Sequence, residues 1–334
     1  MGITAKKLAE KLGLSAAAVS MALNNKPGVS ESTRDRVLKA AKEYDFDFNR
    51  QRFSEEPKKG SLAFLMYRRH GAVVGDTPFF SSLSEGIANA CRIAGYRMHM
   101  QYLHEDNCRT ELCNLLSGDT KGMILLGTEM RAEDFAPFSS CPLPIVVLDT
   151  YFEGIPWDCV LINNIQGAFT ATNYLISKRG CQPGYLRSSY SIGNFEERAD
   201  GFYKAIRHNG LSTSASIVHR LAPSAEGAYA DMKALIAGGE KLASCYFADN
   251  DLIAAGAMRA FKEAGYRIPE DIGIIGFDNT SMCEILEPPL TTIHVPKQAM
   301  GQMAVERLTA ILSRKPPANV KIEITTSLVK RGSL

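Results

Sequence analysis

Thiols and imidazoles are the side chains whose spacing most readily betrays metal binding or nucleophilic catalysis, and the 334-residue chain has eight cysteines and six histidines. No two cysteines form a Cys-x-x-Cys pair, and no histidine cluster stands at zinc-ligand spacing. Reduced thiols and no metal are therefore expected. No Walker A loop, Gly-x-Ser-x-Gly elbow or His-Glu-x-x-His pair is present, and no Gly-x-Gly-x-x-Gly opens the first strand. No catalytic residue, no cofactor and no enzymatic activity are expected. Charge is more informative. The chain carries a net +2, but residues 1–60 hold 12 Lys/Arg against 8 Asp/Glu, and the remainder holds 26 against 28. A small basic head on a near-neutral body is the pattern of a polyanion-binding module.

The length allows two large units, and a composition 45% hydrophobic and 22% charged can build sizeable cores. No apolar run approaches the roughly 18 residues of a membrane span. The first residues lack the apolar core and cleavage site of a signal peptide, so a soluble cytoplasmic protein is expected.

The elements that would carry polyanion binding come first. Thr4 is a suitable cap for a helix over Ala5–Leu12, where Leu8 and Leu12 share a face. Gly13 breaks that helix, and Ser15 caps a second over Ala16–Leu23. Asn24-Asn25-Lys26-Pro27-Gly28 is a dense turn signal, after which Ser30 caps a third helix, about 31–44. Three short helices with a glycine in the tight first turn read as a helix-turn-helix head. In the body, short apolar runs alternate with amphipathic helices. Strands are predicted at Ser61–Tyr67, 96–102, 122–126, 145–148, 184–187, 217–220, 244–247 and 272–276, with helices between them, including one over 198–209. That alternation predicts an α/β body of two doubly wound parallel-sheet halves with a ligand cleft between them.

The run Leu8-Ala9-Glu10-Lys11-Leu12-Gly13-Leu14-Ser15, with Val19-Ser20, Leu23-Asn24-Asn25 and Val29-Ser30-Glu31-Ser32-Thr33-Arg34, resembles the head of the LacI/GalR family of transcriptional regulators. The resemblance extends through Thr77-Pro78-Phe79-Phe80, Val146-Val147-Leu148-Asp149, Arg198-Ala199-Asp200-Gly201-Phe202, Asn250-Asp251, Gly276-Phe277-Asp278 and Pro289-Leu290-Thr291-Thr292-Ile293. It covers essentially the whole chain and implies a head at 1–46, a linker at 47–60 and a periplasmic-binding-protein-like effector domain at 61–334. Within the latter, one half would comprise about 61–161 and 293–320, the other about 162–292 and 321–334.

By family position, the second helix would lie in the major groove, with Ser15, Ala16, Ala17 and Ser20 at base edges or nearby phosphates. Thr4, Asn24 and Ser30 would hold phosphates, and Asn49, Arg50 and Arg52 would reach the backbone or minor groove. The family's hinge leucine falls on Glu55, which leaves Phe53 as the wedge. Met21 stands where the family usually has Arg, and Ala16 and Ala17 offer only apolar contact, for example to thymine methyls. For the effector, the family position of Arg198 implies a clamp on a hydroxyl or carboxylate. Asn250 and Asp278 would face it from the other half, with Asp149 at the domain junction and Phe79 and Phe80 as an apolar lid. The implied protein is a homodimeric regulator, most simply a repressor, that binds a pseudo-palindromic operator under control of a small molecule such as a sugar. The alternative is a cytoplasmic small-molecule sensor whose DNA binding is weak or non-specific.

Overall fold

The computed structural model describes residues 5–23, 28–44, 46, 59–75, 77–314 and 318–334. The chain divides between Lys58 and Lys59 into two compact units. In the first, helices α1 (Ala5–Leu12), α2 (Ala16–Leu23) and α3 (Glu31–Glu43) enclose a core of Leu8, Val19, Ala22, Val37, Ala41 and Phe46. Gly13 takes φ 62°, the left-handed conformation that lets α1 stop and α2 begin within three residues. Ser15 Oγ accepts from Ala18 N at 3.1 Å, and Ser30 Oγ accepts from Thr33 N at 3.2 Å, so both serines cap helices. Arginines close the other ends: Arg36 donates to Leu12 O at 2.7 Å, and Arg34 donates to Ala22 O at 3.4 Å.

The second unit is built on two six-stranded sheets. The first has the order β2-β1-β3-β4-β5-β11, from Arg97–Leu103, Ser61–Tyr67, Thr120–Leu126, Ile145–Leu148, Asp158–Ile162 and Lys321–Ile324, all parallel. The second has the order β7-β6-β8-β9-β10-β12, from Val218–Leu221, Gly184–Ser188, Cys245–Ala248, Gly273–Asp278, Thr291–His294 and Ser327–Val329; only β12 is antiparallel. β1 is buried throughout because helices cover both faces of its sheet. Leu62, Phe64 and Met66 join the core beneath α4 (Pro78–Ala94), and Ala63, Leu65 and Tyr67 join one that holds Phe135 and Phe138.

The remaining helices are α5 (Cys108–Leu116), α6 (Asn164–Arg179), α7 (Gly193–His208), α8 (Ala225–Ala237), α9 (Asp251–Glu263), α10 (Met282–Ile285) and α11 (Lys297–Ser313). The α8/α9 pair packs backbone to backbone: a Cβ at Gly256 would lie 2.3 Å from Ala225 O. The chain crosses between the halves three times, between β5 and α6, between β10 and α11, and between β11 and β12.

Two expectations are corrected. The sequence division placed residues 321–334 wholly in the second half, but Lys321–Ile324 pairs with β5 in the first sheet, and Ile293 and His294 belong to β10 in the second. These four-residue strands contain no continuous apolar run, so only long-range pairing reveals them. Helix α7 begins at Gly193, five residues earlier than the predicted Arg198. Burial of Asn194 and Phe195 outweighs the poor helix propensity of that segment. No described helix is long and apolar enough to cross a membrane.

Candidate functional site

In doubly wound sheets, ligands collect beyond the carboxyl ends of the strands near the point where strand order reverses. Here the reversals lie between β1 and β3 and between β6 and β8, and a cleft opens beside both. Phe79, Phe80, Asp149, Arg198, Asn250 and Asp278 all line it. Arg198, Asn250 and Asp278 come from the same, second half, however, so the expectation that Asn250 and Asp278 face Arg198 from the other half is corrected; Phe79, Phe80 and Asp149 supply the first-half side. Phe79 and Phe80 occupy the first turn of α4 behind Pro78, with ring centroids 5.0 Å apart and edge to face. They supply the apolar wall while also contributing to the core. Asn250 is the N-cap of α9, and its Oδ1 accepts from Ile253 N at 2.8 Å. That bond leaves its amide N–H groups as the donors with which it can address a ligand.

Arg198 organises the cleft floor. It lies in the second turn of α7. Only 3% of it is exposed. Its Nε donates to Asn164 Oδ1 at 2.9 Å, one terminal nitrogen donates to the Asp249 carbonyl, and the other reaches Asp278 Oδ1 at 3.3 Å. The guanidinium stacks 3.8 Å from the centroid of the Phe277 ring. Asp149, Asp249 and Asp278 feel the charge of this cation, and Asp251 stands beside Asp278. Asp249 accepts from Tyr185 OH and from Ser188 N, and Asp251 accepts from Thr280 N and Thr292 Oγ1. Those two brace the strand ends.

Asp149 and Asp278 differ. Asp149 sits at φ 65° and Asp278 at φ 110°, conformations that non-glycine residues rarely hold and that aim both side chains off their strand ends. Asp149 Oδ2 accepts from Thr128 Oγ1 at 2.6 Å, whereas its buried Oδ1 has no partner with hydrogen-bond geometry. The nearby Asn194 amide eases its charge without making such a bond. Burial raises the carboxyl pKa of Asp149 to about 6 and that of Asp249 to about 6. Asp278 is raised to about 7: burial dominates, Arg198 and Lys297 oppose it, and Asp251 and Asp149 add to it. Among the described residues of the cleft, Asp149 Oδ1 is the buried carboxylate oxygen left without a hydrogen-bond donor.

A loop from the first half closes one side. Glu129 is 3% exposed, and its carboxylate accepts from the backbone N–H groups of Arg69, His70, Gly71, Val73 and Val74 at 2.8–3.1 Å. Burial alone would raise its pKa, but these donors hold it below the usual carboxylate range. The strapped loop brings Val73 to the cleft. Sequence reasoning passed over Glu129, Thr128, Asn164, Asp249 and Asp251. Only the Asp-Asn-Asp run at 249–251 offered a local signal. Near Arg198, Asn194 lines the cleft, whereas Glu196 pairs with Arg187.

In the head, Ser15, Ala16 and Ala17 are exposed and Ser20 is half-buried, while Val19 and Ala22 of the same helix face the core. The helix thus presents a small, largely apolar outer face. The capping hydroxyl of Ser15 still holds a proton to donate to an anion, whereas that of Ser30 shares hydrogen bonds with Ser32 Oγ at 3.1 Å and Thr33 Oγ1 at 2.7 Å. Thr4, Asn24, Asn49, Arg50, Arg52 and Phe53 lie outside the described residues.

Comparison with known proteins follows this division. The model for bacterial regulatory proteins of the lacI family matches residues 4–49, and that for the periplasmic binding protein-like domain matches residues 173–334. The chain is 27% identical to the HTH-type transcriptional repressor PurR of Mannheimia succiniciproducens, across 99% of this chain and 98% of that protein. It is also 27% identical to the regulator GalR of Escherichia coli K12, across 99% and 95%. The fold matches that of the lac repressor dimer bound to operator and an anti-inducer, with a TM-score of 0.70 and 24% identity over 100% of this chain and 99% of that one.

Proposed function

We propose that the chain is a transcriptional regulator of the lacI family, a cytoplasmic repressor that binds a pseudo-palindromic operator as a homodimer and releases or grips it according to a neutral sugar in the cleft. The match of its head to the lacI-family model and its likeness to PurR and GalR support that reading. The observation that carries the effector assignment is the convergence of Arg198, Asn250, Asp278 and the half-satisfied Asp149 on one cleft beside Phe79 and Phe80. A sugar hydroxyl donates to Asp149 Oδ1 or Asp278 and accepts from Asn250, while its C–H face packs on the phenylalanines. Among the described residues that line the cleft, Arg198 is the one cation, and its engagement by Asn164, the Asp249 carbonyl and Asp278 favours a neutral ligand over a phosphate ester.

Two heads related by two-fold symmetry fit half-sites spaced by the helical repeat. Ser15, Ala16, Ala17 and Ser20 would face the major groove, and Thr4, Asn24, Ser30, Asn49, Arg50, Arg52 and Phe53 would make the phosphate and minor-groove contacts. The effector acts only through its different affinity for the operator-competent and operator-incompetent states. The test is calorimetric titration of the full chain with D-galactose, D-ribose and cellobiose and with their phosphate esters, followed by operator binding with and without the tightest binder. A neutral sugar should bind and Arg198→Ala should abolish the operator response, with operator affinity itself kept within about 1 kcal/mol. Tighter binding by a phosphate ester would contradict the assignment.

A further inference from the structure

Lys297 is the first residue of α11, the helix that packs in the first half, yet its ammonium is held by the end of β9 in the second. The residue is 7% exposed. Its Nζ donates to the main-chain carbonyls of Asp278, of Asn279 at 3.3 Å and of Val295 at 3.3 Å. An ammonium has three protons, and here three carbonyls converge to take them. Two of those carbonyls belong to consecutive non-glycine residues with positive φ, 110° at Asp278 and 52° at Asn279. The third belongs to the crossover joining β10 to α11. The same cation stands 5.6 Å from the ring centroid of Phe79, a cleft residue of the first half.

Left-handed backbone at consecutive residues persists only where the surroundings over-determine it. A buried ammonium that removes two of the strained turn's carbonyls from solvent does so. We propose that Lys297 is a positioning residue for the cleft: its ammonium pins the Asp278–Asn279 turn of the second half to the crossover that leads into the first, and so fixes where the Asp278 carboxylate stands. The consequence for effector binding rests on the cleft being the effector site, but the pin does not depend on that reading. With its protons occupied, Lys297 acts on the cleft through Asp278 rather than by touching the effector.

The charged and titratable groups around it come from several elements. Asp278 on β9 and Asp251 on α9 favour the ammonium, while burial disfavours it. Cys283 on α10 is held as a neutral thiol by burial, and burial and Lys297 keep His294 on β10 below its usual range. Asp278 also faces Arg198 and Asp149.

The test needs no effector. In full-length protein labelled with 15N-lysine, Lys297 should give an ammonium resonance protected from exchange with solvent, and Lys297→Arg should remove it. In protein labelled with 13Cγ-aspartate, with the Asp278 resonance identified by its loss in Asp278→Asn, Lys297→Met should raise the Asp278 titration midpoint by roughly one pH unit. Lys297→Arg keeps the charge but cannot converge three donors on these carbonyls, so the midpoint should stay near the wild-type value. Absence of a protected ammonium in the unmodified protein overturns the proposal even if Lys297→Met does not fold, and so does an unmoved Asp278 midpoint in folded Lys297→Met. A protected ammonium and a moved midpoint in a protein that binds no sugar would retain the pin and reject the effector reading instead.

Discussion

Replacing Arg198 with Met keeps most of the buried stem and removes the guanidinium, and the consequence should depend on pH in a way that a packing defect would not. Part of the loss is independent of pH: Asn164 Oδ1 and the Asp249 carbonyl lose a buried donor, together a penalty of about 2–4 kcal/mol. The rest passes through the carboxylates whose charge Arg198 favours, Asp149, Asp249 and its direct partner Asp278, whose pKa is about 7 with Arg198 present. An opposite charge at this range lowers a carboxyl pKa by about 1–3 units, so its loss carries Asp278 to roughly 8–10. The folded state then holds a proton that the unfolded state released far below, and stability falls wherever the wild-type protein had Asp278 ionised. At about pH 8.5 this adds about 1–2 kcal/mol of destabilisation, and at about pH 5.5, where both proteins keep the proton, it adds almost nothing. Urea unfolding of both proteins at the two pH values, followed by far-UV circular dichroism, measures the difference directly. A destabilisation equal at both pH values, or larger in acid, would refute the assignment of Asp278 as the partner that Arg198 keeps ionised.

Three further outcomes follow from the same geometry. Asp149, Asp249 and Asp278 are all raised, so they disfavour the fold increasingly as pH climbs from about 4 to 7, whereas Glu129 is lowered and loses its contribution below that window; thermal melting should therefore show an optimum near pH 5, and a flat profile to pH 8 would contradict it. Ser30→Ala removes the cap on Thr33 N and should destabilise the head by about 1 kcal/mol, read as a lower melting temperature for its helices, with no change in sugar affinity. Gly256→Ala places a Cβ 2.3 Å from Ala225 O, so α8 and α9 must separate; a loss of more than about 2 kcal/mol in urea is expected, and a neutral result would mean the helices are not so closely packed.

The elements bounded by local chemistry were legible in the sequence. Gly13 and Ser15 punctuate α1 and α2, whose ends fall where the residues predict, and the apolar run Ser61–Tyr67 is β1 to the residue. The C-terminal strands were not. Lys321–Ile324 alternates exposed and half-buried positions at a sheet edge and acquires its identity only by pairing with Asp158–Ile162, far away in sequence. The start of α7 was obscured by Gly193 and Asn194, residues that favour loops until burial overrides them. Family resemblance named six cleft residues, and all six line one cleft. The groups that tune them were invisible, because Thr128, Asn164, Asp251 and Lys297 meet Asp149, Arg198 and Asp278 only once loops from two sheets converge. Spacing along one chain does not encode that convergence.

The head carries the central claim, sequence-specific operator binding, on a helix whose outer face is Ser15, Ala16, Ala17 and Ser20. Selection of random duplexes by the purified full-length protein at two salt concentrations addresses it most directly. A two-fold-symmetric motif enriched at both salts is the predicted result, with affinity falling as salt rises through loss of phosphate contacts. Binding that yields no motif and vanishes at the higher salt would contradict the claim, leaving a small-molecule sensor without operator specificity.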